Sequence, residues 1–327
     1  MRLCLLSLSL FPIRTLQAGA VMGGRSFLTT NLVGGLGNQL FLIANLLATA
    51  KRNDVTPVLP RATFSSSNEQ PRPVYWTSIF SQLDAFGVER ELPSGIGEVI
   101  VPEHRPATGV KVDGSAQCVY NMLGFFQSEI FFADYPIVRE IIPPQLREAG
   151  MKHLHEQYGG GSLPGATHYV GLHVRRGDYL RLRDVFEILE VGYYDAAMRQ
   201  LLGHALHQQT LGHRSVHVLI FCEEERDGKT LVGYFRSKYA GLEVSLVSPS
   251  VAVSLPSEDA AQLPREVLDL MMLSHCDDVV MANSSWSWWA AYLNNRPLRR
   301  VVAPSRWFRQ FPYPQSNHLY CSDWMLL

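Results

Sequence analysis

The chain has 327 residues, 46% apolar and 18% charged, with 29 basic against 30 acidic side chains and a net charge of −1. At ~150 residues per domain this length predicts two domains, with ample chain for buried cores. The balanced charge excludes a general nucleic-acid footprint, and the ordinary hydrophobicity excludes a disordered chain.

Residues 1–53 contain no Asp or Glu, and Arg2, Arg14 and Arg25 are spaced among Ser and Thr in the first 30. An acid-poor, Arg- and Ser-bearing leader suits mitochondrial import. The rival is a secretory signal leading to the Golgi, with Arg2, an apolar core and a small-residue cleavage site at Ala18-Gly19-Ala20; Pro12 and Arg14 interrupt it. A frayed terminus is the plain alternative. Leu3–Phe11 is too short to span a bilayer, and no segment approaches the ~20 apolar residues of a transmembrane anchor. Cys4, Cys118, Cys222, Cys276 and Cys321 are odd in number, widely spaced and free of CxxC, so neither a disulfide framework nor a zinc ribbon is expected.

Phe27–Val33 reads as a strand, Gly34-Gly35-Leu36-Gly37 as a turn, Asn38–Arg52 as a helix and Thr56–Leu59 as a strand. Residues 60–116 read as irregular. Gln117–Leu123 is a strand candidate, Glu129–Ile142 a helix stopped by Pro143-Pro144, and Gly159–Gly165 the best linker. Beyond it, strands at Tyr169–Val174, Val216–Phe221, Leu242–Val247, Asp278–Met281 and Val301–Ala303 alternate with helices at Tyr193–Gln208, Arg265–His275 and Ser285–Leu293. The expected division is a leader at 1–30, an N-terminal domain at 31–158 and a C-terminal domain at 166–327. Such alternation implies parallel sheets, with ligands at the carboxyl ends of the strands.

Three segments at strand ends carry chemistry. In His173-Val174-Arg175-Arg176-Gly177-Asp178, alternation puts His173 and Arg175 on one face and Arg176 on the other. A guanidinium fork matches phosphate oxygens bidentately and stays charged, so these arginines suit a diphosphate leaving group. Asp178 suits the orientation of one of them; the plain reading is an ion-paired strand end. Asn283-Ser284-Ser285-Trp286-Ser287-Trp288-Trp289 follows a strand and opens a helix with good N-caps, hydroxyls and exposed N–H groups, an anion site. Its plain reading is capping of a tryptophan-rich core helix. Gly34–Gln39 sits at the first strand–helix turn, where Gly35 lets a ligand approach the backbone, with Asn38 and Gln39 beside it. As a dinucleotide fingerprint it is poor, because Leu40 stands where a third glycine belongs. His204 and His207 share a helix face without a third metal ligand, and Glu223–Asp227 reads as a solvated acidic loop.

In order along the chain, GGLGNQLF (34–41), GFFQS (124–128), HVRRGDY (173–179), MLSHCDDVVMANSSWSWW (272–289) and APSRWF (303–308) resemble the α-1,2-fucosyltransferases of glycosyltransferase family 11. The likeness runs from about residue 31 to the C-terminus. One departure is Phe221-Cys222-Glu223-Glu224, where such enzymes usually carry a Ser-Asp pair. The resemblance implies an α/β fold of GT-B type, two Rossmann-like domains facing across a cleft. It implies inverting, metal-independent transfer of L-fucose from GDP-β-L-fucose to the 2-hydroxyl of a terminal β-galactoside, with no cofactor. Arg175, Arg176 and Asp178 are then the catalytic candidates. His173, Arg175, Asn283, Ser284, Ser285, Ser287, Gly35, Asn38 and Gln39 are the donor-binding candidates. The expected partners are GDP-fucose and a glycan acceptor with terminal β-galactose. The rivals are a catalytically silent nucleotide-sugar-binding module and a nicotinamide-dependent oxidoreductase.

Overall fold

A computed structural model describes residues 25–327 except 62–63, 66–71, 104–109, Pro136, 162–164, 211–213, 248–262 and 310–317. The expected leader therefore lies outside the described residues up to position 24. Its last residues do not. Phe27–Thr30 form strand β1, which pairs on one side with β2 (Thr56–Val58) and on the other with β6 (Cys118–Leu123). Leu28 of β1 is fully buried, so a leader ending at Thr30 would cut a central strand from its sheet.

The remaining elements of the first half are α1 (Leu36–Asn53), a short antiparallel pair β3 (Phe64–Ser65) and β4 (Arg72–Pro73), β5 (Gly97–Pro102), α2 (Val138–Ile141) and α3 (Pro144–Tyr158). The second half holds β7 (Thr167–Val174), α4 (Val191–Thr210), β8 (Ser215–Cys222), α5 (Glu225–Lys238), β9 (Glu243–Leu246), α6 (Arg265–Leu273), β10 (Asp278–Val280), α7 (Ser285–Leu293), β11 (Arg300–Ala303) and β12 (Met325–Leu326). Two parallel sheets result, one of four strands in the order β2-β1-β6-β5 and one of six in the order β12-β11-β10-β7-β8-β9. This is the expected α/β architecture of GT-B type.

Three departures from the sequence reading have simple causes. The helix expected over Glu129–Ile142 is broken into a 3-10 turn at Glu129–Phe131 and the short α2. Pro136 lies mid-segment without the N–H that a continuous helix needs. Pro144 does not end that helix but opens α3, occupying a first-turn position where a missing N–H costs nothing. Glu225 and Asp227, read as part of a loop, fill the first turn of α5, where carboxylates suit the positive end of the helix dipole.

β5 hides in the irregular 60–116 stretch because it is an edge strand exposed on most residues, without alternation to reveal it. α3 precedes the Gly159–Gly165 linker yet packs on the second half. A Cβ on its Gly150 would collide with Met271 of α6, and the carbonyl of Tyr158 meets the ring of His217 on β8 at 3.0 Å.

The two halves share an apolar core. Phe41 of α1 lies 4.5 Å from Trp288 and 4.8 Å from Trp289 of α7, ring centre to ring centre, and Phe132 stacks on Trp289 at 5.4 Å. Both tryptophans are fully buried, and their indole N–H groups donate to the carbonyls of Leu319 and Gly37 at 2.6 and 2.8 Å. The tryptophan-rich motif is therefore the seam between the sheets, while Ser284, Ser285 and Trp286 face the cleft.

Candidate functional site

The chain leaves β7 toward β8 and β9 on one side and returns to β10, β11 and β12 on the other, so the order reverses between β7 and β10. A crevice opens at such a point, outside the carboxyl ends of the strands. The first sheet has its own reversal between β1 and β6. Loops after β1, β6, β7, β8 and β10 line one cavity of about 1180 Å³, so the productive ends of both sheets meet there. Its described walls carry Arg72, Arg175, Arg181 and Arg265 against Glu103, Asp178, Glu223, Glu266 and Asp269.

Arg175 reaches the cavity from the end of β7, with its side chain 13% exposed. It is ion-paired with Asp178 at 2.5 Å and with Glu223, and its guanidinium lies 4.7 Å above the Tyr179 ring. Burial alone would weaken its hold on the proton, but Glu223, Tyr179 and Asp178 outweigh this and hold it above the ordinary arginine value. Arg176 is different. It leaves the strand on the opposite side, pairs with Glu190 at 3.1 Å and Asp227 at 3.4 Å, and is absent from the cavity wall. The expected joint action of the two arginines is corrected accordingly, since alternation along β7 separates them.

His173 lines the cavity beside Arg175 and is almost fully buried, its ring 4.7 Å from that of Trp286. Burial, with Arg175 adding to it, pushes its pKa down to about 3, so the imidazole is neutral throughout the physiological range. Its Nδ1 is buried without a hydrogen-bond partner.

Ser284 and Ser285 also face the cavity, at the start of α7. The Ser284 hydroxyl caps the helix by accepting from the Trp286 N–H at 3.3 Å, and Ser285 donates to Asn38 Oδ1 at 2.6 Å. Asn283 and Ser287 do not reach the cavity. Asn283 is fully buried and donates to the carbonyls of Glu187 and Trp307 at 2.8 and 2.9 Å, stapling two loops to the strand end. Ser287 bonds to the carbonyls of Ala282 and Ser284 at 3.3 Å. Their expected donor contacts give way to scaffolding.

In the glycine turn, Gly35 has open space before it and lines the cavity, as does Asn38, which also accepts from Gln127 at 2.9 Å. Gln39 is corrected to a support role, fully buried and donating to the carbonyls of Gly34 and Pro73 at 3.0 and 2.9 Å. Gly37 serves packing, because a Cβ there would strike the Ser285–Trp286 peptide.

Sequence reading missed Glu223 as the second partner of Arg175; the departure from the Ser-Asp pattern was its one signal. It also missed the wall made by Arg265, Glu266 and Asp269. Burial raises the Asp269 carboxyl to about 6, opposed by Arg265 at 3.0 Å. The helix α6 that carries them is apolar on most faces and reads as plain core. Among the described residues, no cluster of three or more His, Cys, Asp or Glu is placed to hold a metal ion, and no helix is long and apolar enough to cross a membrane. The side chains of His204 and His207 lie outside the described set.

Comparison with known proteins bears on this geometry. Residues 259–327, which build α6, β10 and the cleft-facing start of α7, match the profile of Glycosyl transferase family 11. An alpha-1,2-colitosyltransferase of Escherichia coli is 25% identical over 204 residues, 61% of this chain and 60% of that protein. The O-antigen biosynthesis glycosyltransferase WbnK of Escherichia coli is 26% identical over 143 residues, 42% of this chain and 39% of that protein. The chain thus spans less than two thirds of the length of either relative. The crystal structure of POFUT1 in complex with GDP superposes with a TM-score of 0.50 at 11% identity, covering 87% of this chain and 99% of that one, a likeness of fold. The C-terminal segment that carries the cleft's motifs is thus similar to Glycosyl transferase family 11, and two bacterial glycosyltransferases are similar to longer stretches of the chain.

Proposed function

We propose that the protein transfers L-fucose from GDP-β-L-fucose to the 2-hydroxyl of a terminal β-galactoside, with inversion and without a metal. The observation that carries this reading is the meeting of Arg175 with the start of α7 at the reversal point of the second sheet. A diphosphate set there receives the guanidinium fork on one side and the positive end of the helix, with the Ser284 and Ser285 hydroxyls, on the other. In the reaction the bond between fucose C1 and the β-phosphate oxygen breaks. A bond from C1 to the acceptor oxygen forms on the opposite face, and the acceptor hydroxyl loses its proton.

Charge gathers on the departing phosphate, where Arg175 and the helix supply the positive potential that a divalent ion supplies elsewhere. Asp178 holds the fork in place, and neutral His173 shapes the site without adding charge. The first sheet faces the donor with Gly35, Asn38 and Gln127, which suits the acceptor side of the cleft.

The test is incubation with GDP-fucose and lactose, followed by linkage analysis of the product. An α-1,2-fucosylated product, with GDP released in equal amount, is expected. Binding of GDP-fucose without turnover would favour the silent module, and a preference for NAD would favour the oxidoreductase. The colitosyltransferase relative supports a second reading that keeps the linkage and changes the sugar. Under it, GDP-colitose outcompetes GDP-fucose as donor.

A further inference from the structure

We propose that Glu223 is a built-in competitor for the anion at Arg175, and so sets how tightly the cleft holds a diphosphate. The inference rests on the reading of the cleft as a diphosphate site. The parallel register pairs Val174 with Cys222, so Arg175 and Glu223 emerge side by side from the ends of β7 and β8. Glu223 Oε2 takes Nη1 of the guanidinium and Asp178 Oδ1 takes Nη2, the latter at 2.5 Å. Those are the two terminal nitrogens that a phosphate grips bidentately. Tyr179 lies against the guanidinium and holds the fork in the cavity. A phosphate therefore enters only by displacing a carboxylate.

Glu223 is the one placed to leave. Asp178 sits three residues from Arg175 in the 3-10 turn Gly177–Leu180, whose backbone holds it, with its side chain 28% exposed. Glu223 is 43% exposed, has the longer side chain, and lies on the two-residue turn between β8 and α5. Its carboxylate rests where a side chain on Gly177 would otherwise sit, since a Cβ there would collide with Oε2. Gly177 has φ +26°, close to the left-handed region that glycine tolerates. The same competition acts on the product. Glu223 returns to Arg175 as the diphosphate leaves, which hastens release.

The test is calorimetric titration of the full chain and of Glu223→Gln and Glu223→Ser with inorganic pyrophosphate, GDP and guanosine. Removing the competing charge should tighten pyrophosphate and GDP about five- to tenfold and leave guanosine unchanged, the size expected of one partly exposed ion pair. Unchanged or weaker pyrophosphate binding in the variants, or no pyrophosphate binding by any of the proteins, overturns the inference. Thermal melts establish folding, and either variant suffices if the other does not fold. Tighter pyrophosphate without any GDP binding supports the role of Glu223 while refuting the nucleotide reading. GDP binding and pyrophosphate binding that are both indifferent to residue 223 do the reverse.

Discussion

Arg175 and Arg176 are adjacent in sequence and opposite in circumstance. One is aimed into the cleft with a ring beneath it and carboxylates at its tips, the other is tied to Glu190 and Asp227 outside the cavity wall. Period-two alternation separates them in the sequence alone, but only their partners show which side is the cleft. Arg175→Ala is expected to cost about 3–4 kcal/mol of transition-state stabilisation, a 10²–10³-fold loss of turnover. Arg175→Lys should rescue little, because the ammonium has no fork. Arg176→Ala should keep turnover within about tenfold of the parent. Steady-state rates of the three variants check this, and more than a tenth of parental turnover in Arg175→Ala would remove it from the assigned role. Ser284 and Ser285 were legible as helix openers. Asn283, Ser287 and Gln39 read the same way in sequence yet turn inward, since a polar side chain beside a ligand and one stapling a buried loop have the same spelling.

At the scale of elements, strands in the second half were legible to within a few residues because buried parallel strands are continuous apolar runs. α3 was not, its mean hydropathy being low and its buried face only Leu146, Gly150 and Leu154. The α1–α7 seam depends on Gly37, where the two backbones approach too closely for a side chain. Gly37→Ala should lower stability by about 1–3 kcal/mol through overpacking, measured by urea denaturation, and should weaken activity by shifting Ser285.

A second element-level device lies at the other end of the strands. Asp278 of β10, with its side chain 1% exposed, is bridged by Arg300 of β11 at 2.9 and 2.6 Å and by His168 of β7 at 2.7 Å. Burial pulls its carboxyl upward, but these partners win and hold it below the ordinary value of 3.8. A depressed carboxyl stabilises the fold above the unfolded-state value, and that contribution fades as pH falls below it. Arg300→Leu should cost about 3–5 kcal/mol at pH 7 by leaving the charge uncompensated. Denaturation at pH 7 and pH 3 should show the deficit shrinking in acid; an equal deficit at both would contradict the account.

At the scale of the molecule, both sheets turn their carboxyl ends toward one cleft, and the sequence foretold that arrangement chiefly through motif order. The strand read at Phe27–Val33 overlaps the end of the expected leader, and β1 at Phe27–Thr30 places those residues in the first sheet. Deleting residues 1–24 should leave a cooperative thermal transition, whereas deleting 1–30 should abolish it by removing β1 from between β2 and β6. We propose that the acid-free, arginine-bearing start directs the protein to the mitochondrion. The full chain tagged at its C-terminus should then co-localise with a matrix marker, and Golgi staining would favour the secretory alternative.

In the proposed reaction, Arg175 and the start of α7 activate a GDP-linked fucose in this cleft without a metal. Its most direct test is transfer from GDP-fucose to lactose in metal-free buffer with excess EDTA, comparing the full chain with Arg175→Ala. Undiminished transfer by the parent chain and a loss of at least a hundredfold in the variant are expected. Transfer that vanishes with EDTA and returns with Mn²⁺, or that survives in Arg175→Ala, would contradict it.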